Sequence, residues 1–135
     1  MTMASDHDLK LVRIYADAEG ETHLADLRIP DEKPEGADEP RVLREIPTTT
    51  LRIAETLQRR PSMSLHVAPR RQLGIVLRGE CEITTTDGDS RRFGRGDCLL
   101  IEDTAGKGHT YEDVGDERLV TAAIGLPEDW QWPSI

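Results

Sequence analysis

The sequence predicts an all-β, single-domain antiparallel barrel of jelly-roll type. Three observations carry that expectation. Short apolar segments alternate with polar residues at a period of two, the spacing of strand side chains. Turn signals punctuate them at Gly79, Asp87-Gly88 and Gly96-Asp97. No segment sustains an apolar helical period for long, and short strands at this regular spacing point to a sandwich or barrel.

The elements follow in order. Leu9–Ala16 (LKLVRIYA) alternates as a first strand, and Gly20–Ile29 (GETHLADLRI) as a second. In the second, His23, Ala25, Leu27 and Ile29 share one face, taken as the inner one. A polar loop punctuated by prolines, without periodicity, runs from Pro30 to Pro40. Val42–Ile46 and Leu51–Leu57 read as strands, the latter with a helical turn as its alternative; Met63–Val67 is the next. Gln72–Arg78 places Leu73, Ile75 and Leu77 on one face, Gly79 turns, and Glu80–Thr86 returns. Asp87-Gly88 is a hairpin signal, since glycine tolerates the positive φ of a tight two-residue turn. Arg91–Phe93, Cys98–Ile101, His109–Asp113 and Arg118–Leu126 complete the series. The whole chain, 1–135, reads as one domain: a flexible start (1–8), N-terminal strands and loop (9–58), the barrel motifs (60–126) and a tail (127–135).

Composition narrows the function. With 135 residues, 36% of them hydrophobic and only 4% aromatic, the chain can bury a modest core of Leu, Ile and Val without staples. A net charge of −9 argues against nucleic acid and against anionic membranes as partners. Arginine outnumbers lysine 14 to 3, so local positive potential is still available. Met1–Lys10 is polar, with no apolar core of a leader, and no run approaches the roughly 18 apolar residues of a membrane span. Cys81 and Cys98 fit no metal or redox spacing and read as reduced core residues. A cytoplasmic location is expected.

The richest stretch runs from His66-Val67-Ala68-Pro69-Arg70-Arg71-Gln72 to Gly106-Lys107-Gly108-His109. A rolled sheet brings two such distant histidines into one cavity. These residues resemble the two signature motifs of the cupin superfamily. The first, H-x-H, three or four residues, E, six residues, G, is met by His66, Ala68, Gln72 and Gly79. The second, G-x5-P-x-G-x2-H, is approximated by Gly96, Thr104, Gly106 and His109, with a two-residue expansion and no proline. The resemblance covers residues 60–126, and its wording is similar to small single-domain bacterial cupins. It implies a cupin-type barrel with His66 and His109 pointing inward, as metal ligands in the metal-dependent members.

The departures matter most. Ala68 replaces the second histidine and Gln72 the glutamate, leaving His66, His109 and a neutral Gln72 oxygen as the inherited donor set. Catalytic zinc commonly has three protein ligands, and non-haem iron two histidines with a carboxylate. The expectation is therefore no cofactor, with iron, manganese, nickel or zinc on His66, His109 and Gln72 as the alternative. Without metal, His66 and His109 can divide general base and acid roles, because imidazoles titrate near neutrality. Gln72 can orient a carbonyl or enol oxygen, and Asp103 can fix the His109 tautomer or act as base. Arg70 or Arg71 can grip a carboxylate, while His23 and Lys107 are further candidate ligand contacts.

The leading reading is an enzyme of isomerase, cyclase or lyase type acting on a small organic molecule, a carboxylate or carbonyl compound. The alternatives are a metal-dependent oxygenase or isomerase and a non-catalytic small-ligand sensor. A homodimer is expected, through the N-terminal strands or the tail bearing Trp130 and Trp132.

Overall fold

A computed structural model describes residues 9–29, 42–56 and 64–133. The expected flexible start and the Pro30–Pro40 loop fall outside them. The described residues form nine strands and no helix: β1 (Leu9–Ala16), β2 (Thr22–Ile29), β3 (Leu51–Glu55), β4 (Gln72–Arg78), β5 (Glu80–Thr85), β6 (Ser90–Phe93), β7 (Cys98–Ile101), β8 (His109–Val114) and β9 (Val120–Gly125). Among these residues no helix is long and apolar enough to cross a membrane.

The protein is all-β, but its strands make two sheets rather than a closed antiparallel barrel. One has six strands in the order β2-β1-β7-β4-β9-β3, the other three in the order β6-β5-β8. Two local readings change accordingly. The glycine at 79 does not close a hairpin: β4 pairs with β7 and β9, while β5 pairs with β6 and β8, so the chain changes sheets there. Gly79 has φ +81°, and a Cβ on it would lie 2.8 Å from the Arg118 carbonyl oxygen, so the crossing needs a residue without a side chain. β1 and β7 run parallel, with Val12 opposite Leu99.

The β5–β6 hairpin does turn at Asp87-Gly88, and Leu51–Glu55 is a strand rather than a helical turn. Val42–Ile46 is not a strand; in the stretch read as Met63–Val67, the described residues contribute only an isolated bridge, His66 to His109.

Packing explains the pattern. Ile14, Leu24, Val76 and Leu99 of the large sheet meet Cys81, Ile83 and Phe93 of the small one in an inner core. The opposite face of the large sheet is also covered. Leu11, Ile29, Leu73 and Leu100 form an outer core with Leu126 and Trp132, joined by Leu27, Ile46 and Trp130. The tryptophan tail thus packs on its own domain, where large aromatics bury the most surface. Burial on both faces is why β7 (CLLI) is an unbroken apolar run. It also reverses the expected facing of β2. Leu24 points to the inner core and Leu27 and Ile29 to the outer one, so His23, in register with them, does not face the space between the sheets.

Candidate functional site

Between the sheets lies a cavity of about 250 Å³, reached past His66 and lined by His109, Gln72 and Tyr111 among mostly apolar neighbours. His66 and His109 enclose one side of it. Their backbones exchange two hydrogen bonds, His66 N–H donating to the His109 carbonyl (3.0 Å) and His109 N–H to the His66 carbonyl (2.9 Å). That pairing sets the imidazoles side by side, with ring centroids 4.8 Å apart and planes inclined at 56°. Gly108, at φ +79°, lets the two strands approach: a Cβ there would sit 2.9 Å from the Val67 nitrogen and closer still to the His66 carbonyl. Thr22 Oγ1 donates to the Gly108 carbonyl at 2.7 Å and holds the turn from the other side.

Asp103 supplies the charge. Its carboxylate is wholly buried, and Oδ2 lies 2.5 Å from His109 Nδ1. An ionised carboxylate can only accept, so with Asp103 in that form the proton of the pair is the one on Nδ1. The lone pair of Nε2, on the far side of the ring, is then left for the cavity. The other oxygen, Oδ1, is buried without a hydrogen-bond partner among the described residues. Asp103 is pinned through its backbone as well, its carbonyl accepting from Ala68 N–H at 3.0 Å.

The other candidates from the sequence are not brought together here. His23 is bonded through Nε2 to Asp17 (2.8 Å) and through Nδ1 to Asp87 (2.9 Å), at the surface. Lys107 pairs with Glu21. Arg70 is exposed on the turn before β4, and none of these three lines the cavity. Arg71 is committed to structure: Nε and Nη2 donate to Glu102 (2.9 and 2.6 Å), and Nη1 to the carbonyls of Pro127 (3.1 Å) and Trp130 (2.5 Å). Arg13 shares the same carboxylate at 2.6 Å.

Two predictions arise from these pairs. Arg71→Ala removes a largely buried ion pair and the tie on the tail, and should lower stability by about 3 kcal/mol in urea unfolding, with red-shifted tryptophan emission before unfolding begins. At His23, the bond to Asp17, and then that to Asp87, raises the imidazole above its ordinary 6.5. Stability linked to this proton is complete below that ordinary value and is lost as pH rises through the higher folded one. The melting-temperature advantage of the parent over His23→Gln should therefore be full below pH 6.5 and shrink as pH rises above it.

Tyr111 is a cavity residue that sequence reasoning missed, though it stands two residues beyond His109 on the same face of β8. Its hydroxyl lies 3.2 Å from Thr56 Oγ1. Burial pushes its phenol well above the usual range, with the neighbouring Asp113 adding to the shift. The cysteines are inert: burial pushes the Cys81 thiol up to about 12 and Cys98 up to about 11.

The donor set does not fit the metal implied by the cupin resemblance. Ala68 occupies the second histidine's place, Gln72 is neutral, and the Asp103 carboxylate engages His109 Nδ1 instead of joining His66 and His109 as a third ligand. Among the described residues no group of three or more His, Cys, Asp or Glu side chains converges as a metal cluster would.

No protein-family model matches the sequence, and no curated protein matches it.

Proposed function

We propose that the protein is a small-molecule enzyme of acid–base type, an isomerase, cyclase or lyase, working in the cavity between its two sheets. The observation that carries this reading is the buried Asp103–His109 pair beside that cavity. A buried carboxylate is expensive to keep, and a simple binding pocket has no use for one behind a histidine. Behind a base it has a clear role: it sets the tautomer and provides the counter-charge for the imidazolium formed when Nε2 takes a proton. His66, next to His109 and exposed at the mouth, can exchange protons with solvent and return one to the product. Gln72 can hold a carbonyl or enol oxygen through its amide. The cupin-type jelly roll belongs to the same proposal, supported by the two facing sheets and by the meeting of His66 and His109.

The test is proton exchange. Neutral ketones such as acetophenone and cyclohexanone, incubated with the protein in D2O, should take up deuterium beside the carbonyl faster than in buffer, as followed by proton NMR. Exchange no faster than buffer for any ketone that binds would refute the reading and leave the cavity as a binding site.

A further inference from the structure

The cavity also carries information about what enters it. Among the described residues no Asp, Glu, Lys or Arg lines it; its walls are residues such as Val76, Ile83, Leu99, Ile101, Ala122 and Ala123. An anionic ligand group would lose its water there with no cation among those wall residues to compensate, and would meet the carboxylate of Asp113, on the same strand face as Tyr111. An apolar cavity of about 150 Å³ holds benzene, so about 250 Å³ holds one ring with small substituents.

Its polar groups lie at two levels. His109 and Tyr111 are two residues apart on one strand face, about 7 Å along β8. Beside Tyr111 stands Asp113, on the same face of β8 and opposite Cys81, with both carboxylate oxygens buried and without a hydrogen-bond partner among the described residues. Two polar groups thus stand near the Tyr111 hydroxyl: Asp113, and Thr56 Oγ1 at 3.2 Å, which can donate or accept. A phenol oxygen has two lone pairs, so whichever way the bond to Thr56 runs it keeps the capacity to accept at least one hydrogen bond from the cavity.

We infer that the cavity takes a molecule of about one ring without an anionic group, carrying a hydroxyl or N–H that donates to the Tyr111 oxygen while its reacting carbon lies at His109. Tyr111 is then a specificity-determining residue, and a carboxylate substrate is disfavoured. The inference rests on the cavity being the reaction site.

The experiment compares three probes of one shape by NMR titration at about pH 8, where the phenol is neutral and the benzoate ionised: 4-methylphenol, toluene and 4-methylbenzoate. The phenol should bind about tenfold tighter than toluene, and the benzoate at least about 100-fold weaker than the phenol. Tyr111→Phe should erase the preference for phenol over toluene, whereas His109→Ala should leave it intact. In the unaltered protein, nuclear Overhauser contacts should place the ring protons beside the hydroxyl near Tyr111 and the methyl group near His109. Benzoate binding as tightly as the phenol, a preference that survives Tyr111→Phe, or a reversed pose would overturn the inference. If His109→Ala keeps the preference but proton exchange is absent even in the parent, the ligand class stands and the acid–base reading fails. If exchange is present and the preference is not, the reverse holds.

Discussion

His109→Ala should reduce deuterium exchange into a bound ketone by roughly 10²–10⁴-fold, the range expected when a positioned general base is lost. Probe binding should change little, because the cavity walls are contributed mainly by other residues. Asp103 acts through His109 and does not touch the ligand. Asp103→Asn keeps the volume of the buried side chain but removes its charge, and its amide can present either an acceptor or a donor to Nδ1. The rate should again fall by about 10²-fold or more, now with a changed pH profile, because the imidazolium has lost its counter-charge. A merely structural Asp103 would lower the melting temperature and leave the pH profile of the remaining activity unaltered. Comparing the two variants at equal folded fraction separates these roles.

Gly108→Ala should have the largest effect on the architecture of the site. The substitution forces a side chain into a left-handed conformation, worth about 1–2 kcal/mol alone, and drives a Cβ into the His66 backbone. The strain can be relieved only by parting the two strands, so the His66–His109 bridge should open. We expect a loss of about 3–5 kcal/mol in urea unfolding, together with loss of exchange activity in whatever folds. Gly88→Ala is the control. It too has positive φ, +92°, but nothing lies within 4 Å of the added Cβ, so only the conformational part of the loss should appear. Equal losses in the two variants would show that the close approach at Gly108 contributes nothing.

What could be read from the sequence was local, and what could not was mostly pairing at a distance. Alternation and turn residues place β1, β2, β4–β9 and the Asp87-Gly88 hairpin, and β3 with a helical turn as its alternative, because each rests on a few adjacent residues. Gly79 gives the same local signal as a hairpin glycine, but whether the chain doubles back or crosses to another sheet depends on partners elsewhere. The parallel pairing of β1 with β7 has no local signature at all. His23 was assigned to the wrong face because one covered face was assumed, whereas Trp132, Leu126 and Ile46 cover the large sheet's other side. Arg71 has the chemistry of an anion clamp; only the fold reveals that Glu102 and two tail carbonyls already occupy it. The meeting of His66 and His109 follows from the motif resemblance, and Asp103 stands close enough in sequence to His109 to be a candidate partner. Tyr111 was legible too, from strand alternation alone, but its neighbours Thr56 and Asp113 come from just past the end of β3 and from further along β8.

The measurement that bears most directly on the dyad is the protonation pattern of His109, read from nitrogen–proton correlation spectra of protein labelled with ¹⁵N-histidine at neutral pH. With Asp103 holding Nδ1, that nitrogen should carry the proton and Nε2 should show the shift of an unprotonated, lone-pair nitrogen. Asp103→Asn should weaken or invert the pattern. A His109 protonated on Nε2 in the unaltered protein would put a donor where the base must be, and would contradict the proposed chemistry at its starting point.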